Sequence, residues 1–180
     1  MSLIDSQGFF EVKRMLVGEK VILRGLELRD AKELHKYVND WEIRQYLNMF
    51  YPISEVEEEE FVRSSWEKRK SGTDFIFAID DKESGQLIGT IGLHKVDWKN
   101  RNAELGIAIW KKDYWGKGYG ADAIKTLLKY AFHELNLHKV YLRVYDFNKR
   151  AIRCYEKVGF KKEGVLGKFS GETRNGTTQY

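Results

Sequence analysis

The chain has 180 residues, 42% hydrophobic and 14% aromatic, with a net charge of +4 and a pI near 9.0. That size predicts one domain able to bury a core. The lone cysteine, Cys154, excludes an intrachain disulfide and fits a reducing compartment. No apolar run is long enough to span a membrane or to form a signal-peptide core. The expectation is therefore a cytoplasmic protein without a membrane partner. The mild basic charge suits an anionic small ligand, and nothing points to nucleic acid.

In chain order, residues 1–19 read as an N-terminal extension and residues 20–27 as a first strand. Asp30 is the expected cap of a helix running to about Val38, with Ala31, Leu34 and Val38 inward. Ser54 and Glu57 make a capping-box pattern that opens a second helix to about Lys70. The acidic run 55–60 falls in its first turns. It suits the helix dipole and reads more readily as a solvated face than as a site for a cationic ligand.

Residues 75–79 and 87–93 alternate as strands about a Ser84-Gly85 hairpin turn, and a turn at 100–102 leads into a fourth strand, 103–110. Ile124, Leu127, Leu128, Ala131 and Leu135 recur at helical spacing. Residues 140–144 form a fifth strand. Asn148 caps a helix to about Val158, Gly159 ends it, and Phe160 is expected to open a sixth strand. Residues 177–180 read as a seventh strand cut short. The order predicts an α/β fold: a mostly antiparallel, twisted mixed sheet, one central parallel pair between the fourth and fifth strands, and helices on both faces.

The chemistry centres on Trp115-Gly116-Lys117-Gly118-Tyr119-Gly120-Ala121, three alternating glycines that open a helix. Glycines let the backbone present its N–H groups closely, and the helix N-terminus adds positive potential, so the segment suits a phosphate or pyrophosphate. A Walker P-loop is excluded, because no Gly-Lys-Ser/Thr follows. A dinucleotide fingerprint is met by spacing alone. Its loop abuts the first strand of a parallel fold, whereas here the glycines lie mid-chain, after antiparallel strands.

Three blocks in order carry a more specific resemblance: Ala103-Glu104-Leu105-Gly106-Ile107-Ala108-Ile109-Trp110, the glycine loop, and the segment from Asn148 to Phe160 with its Asn-x-x-Ala-x-x-x-Tyr-x-x-x-Gly-Phe pattern. Together they resemble the GCN5-related N-acetyltransferases (GNAT), within them the branch of ribosomal-protein and polyamine acetyltransferases. The resemblance spans residues 20–180. It implies acetyl-CoA as co-substrate and a primary amine as acceptor, either a polyamine or a protein or peptide N-terminus, with direct attack in a ternary complex. A homodimer is compatible with it.

By the same resemblance, amides of Ile107, Ala108 and Ile109 hold the pantetheine and polarise the thioester. Backbone from Trp115 through Gly116, Lys117, Gly118, Tyr119 and Gly120 to Ala121 holds the pyrophosphate. Asn148 contacts the cofactor arm, and Tyr155 faces the sulfur as general acid. By itself Tyr155 would read as a core aromatic. Glu104 is the candidate base or, equally, a structural or orienting acid.

The family loop usually has Gln or Arg where this chain has Trp115, so backbone rather than side chains is expected to dominate. Residues Trp41, Tyr46, Phe50 and Tyr51 fall in the segment that borders the family's acceptor site. They line it or simply pack the helices. An acyl-enzyme on Cys154 has no neighbouring histidine in sequence to support it, and a small buried role fits better. His35, His94, His133 and His138 lack ligand spacing, so no metal is expected. His94 is a second candidate for proton handling. A different class of function, a CoA-binding sensor without turnover, stays open.

Overall fold

A computed structural model of the protein describes residues 16–47, 49–166 and 177–180. Residues 1–15 of the expected extension lie outside the described residues.

Strand β1 (Val21–Gly25) leads into helix α1 (Leu28–Val38). Glu27, not Asp30, occupies the cap position. Asp30 sits one turn in, where its carboxylate accepts the Glu27 N–H at 2.8 Å. The cause is Arg24, whose guanidinium grips Asp30 at 2.7 Å and Asp80 at 2.7 Å and draws Asp30 back over the sheet. A short helix, α2 (Trp41–Arg44), follows on an Asp40 cap. Its four residues carry too little periodicity to be read from sequence. Helix α3 (Glu55–Ser71) opens on the expected Ser54–Glu57 capping box and closes on Gly72, whose φ of 72° is left-handed.

Strands β2 (Phe75–Asp81), β3 (Leu87–Asp97) and β4 (Asn102–Ile109) form an antiparallel meander. Helix α4 (Tyr119–His133) crosses over to β5 (Lys139–Tyr141), which pairs with β4 in parallel. The order of the main sheet is β1-β2-β3-β4-β5. The parallel pair is as expected, but the fifth strand is not continuous. At Leu142 the backbone N–H and C=O turn to Tyr180, at 2.8 and 2.9 Å, and the chain leaves the main sheet. It continues as β6 (Arg143–Tyr145), followed by α5 (Lys149–Val158), β7 (Gly164–Leu166) and β8 (Thr177–Gln179). These last strands make a second sheet in the order β6-β8-β7. The expected strand at Phe160 begins only at Gly164, because Phe160 packs edge-on to Tyr155, with ring centroids 6.1 Å apart, to close the end of α5.

One sheet face carries Leu23, Phe77, Ile79, Ile91 and Leu105 against Ile124, Leu127 and Ala131 of α4. The other carries Ile76 and Ala78 against Ala31 and Leu34 of α1 and Val62 of α3. Helices thus cover both faces, as the two interleaved periodicities require. No helix among the described residues is long and apolar enough to cross a membrane.

Candidate active site

The parallel ladder between β4 and β5 lasts only from Asn102↔Lys139 to Glu104↔Tyr141. Beyond it the strands part, and among the described residues no strand pairs with 105–109 on that side. The gap opens into a cavity of about 880 Å³. Of the sequence-predicted residues, Glu104, Ile107, Ala108, Ile109, Trp115, Gly116, Gly118, Gly120, Ala121, Asn148 and Tyr155 all line it. Lys117 and Tyr119 are not among the lining residues. The Tyr119 ring instead packs edge-on to Tyr114, with centroids 4.8 Å apart.

The loop's shape explains its glycines. Gly116 and Gly118 have φ of 73° and 89°, in the left-handed region that side-chain-bearing residues avoid. Gly118 caps α4 without a side-chain acceptor, which leaves the N–H groups of Tyr119, Gly120 and Ala121 without intrahelical partners. Asp122, the one acid in that first turn, is turned away. It accepts the backbone N–H groups of Glu19, Lys20 and Val21 at 3.1, 2.8 and 3.1 Å. The helix N-terminus therefore meets the cavity with its positive end uncompensated, which fits the diphosphate of a coenzyme A.

Sequence reasoning missed Arg150. Its guanidinium stacks on the Trp115 ring, 3.5 Å from the centroid, and lines the cavity, while Trp115 Nε1 donates to the Ile109 carbonyl at 2.8 Å. Trp115 replaces the usual polar residue, yet it positions a cation from α5 at the same mouth. Only the packing of α5 against the loop brings the two together. A conspicuous Trp facing a basic helix start was the available signal.

Tyr155 is 8% exposed, and burial first, then the neighbouring Cys154, pushes its phenol well above its ordinary value. It stays protonated at neutral pH. Its hydroxyl has no hydrogen-bond partner among the described residues, so the proton is free for a group in the cavity. Asn148 caps α5, accepting the Ala151 N–H at 3.2 Å. Burial raises the Cys154 thiol above its usual value, which makes it a poor nucleophile.

Glu104 is held by Lys95 at 2.9 Å and Arg143 at 3.9 Å. These two ion pairs fit the structural or orienting role that the sequence left open beside the basic one.

A second cavity of about 630 Å³ lies on the opposite face of β4, between the sheet, α3 and the segment after α2. Gly106, Ile107 and Ala108 line both cavities. The second is edged by Tyr51, Glu57, Glu58, Glu60, Phe61 and His94. Tyr51 thus sits at this groove and Tyr46 at the first, whereas Trp41 and Phe50 are exposed and line neither. Glu55 and Glu60 are solvated, as expected, but Glu58 is not. It shares a stripe with Val62 and Ser65 and is only 6% exposed. No side-chain partner reaches it among the described residues, and burial raises its carboxyl above its ordinary value. Among the described residues no cluster of three or more His, Cys, Asp or Glu is arranged to hold a metal.

This splayed sheet with an amide-lined loop beside it defines an acyl-CoA-dependent transferase. The acetyltransferase (GNAT) domain family matches residues 20–161, and the chain belongs to that family. It is 32% identical over 152 residues to an N-acetyltransferase, p20, of Bacillus licheniformis, covering 84% of each chain. It is 32% identical over 154 residues to the spermidine N(1)-acetyltransferase of Vibrio cholerae, covering 83% of this chain and 84% of the relative. The solved structure of spermidine N-acetyltransferase from Vibrio cholerae with CoA and spermine superposes with a TM-score of 0.77 at 30% identity, over 89% of this chain and 93% of that one. A GNAT acetyltransferase from Bacillus anthracis shares the fold, with a TM-score of 0.80 at 24% identity over 92% and 95% of the two chains. The protein is an N-acetyltransferase, and acetyl-CoA is its co-substrate.

Proposed function

We propose that this N-acetyltransferase moves the acetyl group of acetyl-CoA to a primary amine of a polyamine, by direct attack in a ternary complex. The observation that carries this reading is the pair of cavities meeting across Gly106, Ile107 and Ala108, one rimmed by backbone amides and Arg150, the other by carboxylates. An anionic donor suits the first and a polycation the second. The similarity to spermidine acetyltransferases supports the same acceptor class.

The residues then divide the work. Amides of Tyr119, Gly120 and Ala121, with Arg150, hold the diphosphate. The free edge of β4 at residues 107–109 holds the pantetheine arm and polarises the thioester carbonyl. The neutral amine attacks that carbonyl carbon, the C–S bond breaks, Tyr155 gives its proton to the departing thiolate, and the proton shed by the amide nitrogen restores the phenol. Glu104 keeps the β4–β6 junction charged and fixed through Lys95 and Arg143. The lone, half-buried thiol of Cys154 suits a reducing compartment and supports a cytoplasmic setting.

The test follows thioester consumption with a thiol reagent across spermidine, spermine, short diamines and peptides with free N-termini. Polyamines are expected to turn over with the highest kcat/KM. Preference for peptides would move the acceptor to a protein N-terminus. Acetyl-CoA binding without turnover on any amine would favour the sensor reading.

A further inference from the structure

We infer that His94, held by Asp74, is the base that takes the proton from the acceptor amine; this rests on the acetyl-transfer reading above and deepens it. His94 lies on the face of β3 that looks into the acidic groove. Its Nδ1 is 3.0 Å from Asp74 Oδ2. Desolvation works against the ionised Asp74, but hydrogen bonds from His94 and from the Lys95 N–H outweigh it, and its carboxyl lies below the ordinary value. An ionised carboxylate only accepts, so Nδ1 must carry the proton in the neutral ring, and the lone pair is left on Nε2.

Nε2 has no hydrogen-bond partner among the described residues. It lies over β3 and β4 because the two residues beneath it are glycines. A Cβ on Gly106 would come within 3.0 Å of Nε2, and one on Gly92 within 3.2 Å. Gly92 and Gly106 are direct cross-strand partners, so the paired absence of side chains makes a slot for one imidazole edge. Gly106 also lines the cofactor cavity. The free lone pair thus stands beside the strand where amine and thioester meet.

The same carboxylate fixes the turn that follows. Asp74 Oδ1 accepts the Lys95 N–H at 3.2 Å, and Lys95, with φ of 51°, sends its ammonium to Glu104. Asp74 is therefore a positioning residue for both the base and the Glu104 ion pair.

In the step, an acceptor ammonium entering the groove gives one proton to Nε2. Its nitrogen lone pair then attacks the thioester carbonyl carbon, the C–S bond breaks, the thiolate takes the Tyr155 proton, and the second proton shed by the new amide nitrogen restores the phenol. The imidazolium returns its proton to solvent through the open groove. The charged groups around the ring are Asp74 and Lys68 from the α3–β2 side, Lys95 on its own strand, Glu104 on β4 with Arg143 behind it, and Glu57, Glu58 and Glu60 across the groove.

The experiment is the pH profile of kcat/KM for spermidine, with acetyl-CoA affinity measured alongside. The wild type should show an acid limb, because protonating the imidazole removes the base. His94→Gln should remove that limb and lower kcat/KM at neutral pH by about 100-fold, the scale of one general base, with acetyl-CoA affinity unchanged. Asp74→Asn should move the limb to lower pH, because the ring loses its counter-charge. Added imidazole should restore part of the activity of His94→Ala. Gly106→Ala, which crowds the ring without altering any titrating group, should lower kcat/KM and leave the limb's midpoint in place. The inference is overturned if His94→Gln keeps the limb and activity within threefold, or if Glu104→Gln alone abolishes the limb. A wild type that binds acetyl-CoA yet acetylates no amine overturns the transfer reading, and this inference with it.

Discussion

The two sides of β4 are built by different means. On the side of α4, the cofactor cavity is mostly backbone: a free strand edge, two left-handed glycines and the open first turn of a helix. On the side of α3, the groove proposed for the acceptor is mostly side chains, with Glu57, Glu58, Glu60 and His94 around a glycine floor. One strand serves both, because Gly106, Ile107 and Ala108 border the two cavities at once. A backbone site recognises what never changes, the diphosphate and pantetheine of the donor. A side-chain site can change its acceptor by substitution while the fold stays fixed.

The comparison breaks first at Tyr155, a side chain proposed as the acid inside the backbone-built cavity. Tyr155→Phe should lower kcat by about 100-fold, as loss of a general acid does, while the Kd for acetyl-CoA stays within twofold. Equal losses in both would make the residue structural. Gly118→Val tests the backbone side. The left-handed conformation costs a branched residue about 1–2 kcal/mol, so acetyl-CoA should bind roughly tenfold more weakly, measured by calorimetry, with the KM ranking of acceptors preserved.

Glu58→Gln tests the other side. It should raise the KM for spermidine about fivefold, the effect of losing about 1 kcal/mol of charge attraction, and leave the KM for acetyl-CoA alone. It should also stabilise the protein. Burial raises the native Glu58 carboxyl above its unfolded value, so between those values the native state holds the extra proton and stability falls as pH rises. Above both values the penalty is fully present. The substitution should raise Tm there by about 2 °C and flatten the decline of Tm with pH above the unfolded value. The smallest effect is expected at Cys154→Ala, which should change kcat less than twofold, because the raised thiol takes no part in the transfer. A loss above tenfold would revive a covalent intermediate.

The cofactor side was legible in the sequence because its physical requirements leave marks. Positive φ demands glycine, an uncapped helix start shows as Gly-x-Gly before an apolar stripe, and Tyr155 sits at fixed spacing from the Asn148 cap. The acceptor side was not. Glu58 looked like its solvated neighbours in an acidic run, and only the packing of α3 showed that the stripe of Val62 and Ser65 carries it inward. His94 was legible only as a second candidate for proton handling at the end of a strand. Asp74, twenty residues away, and the glycines beneath the ring had no sequence signal linking them.

The sequence by itself determined most of the elements, the parallel strand pair and the glycine loop that opens a helix, since these follow from local periodicity, turn chemistry and the conformational limits of glycine. Tertiary structure decided the rest. It moved the first helix cap from Asp30 to Glu27 through Arg24, broke the fifth strand at Leu142, brought Arg150 onto Trp115 and placed Glu104 between two cations. Each depends on side chains distant in the chain meeting in space, and no local pattern encodes which of many partners a charge or a ring will find.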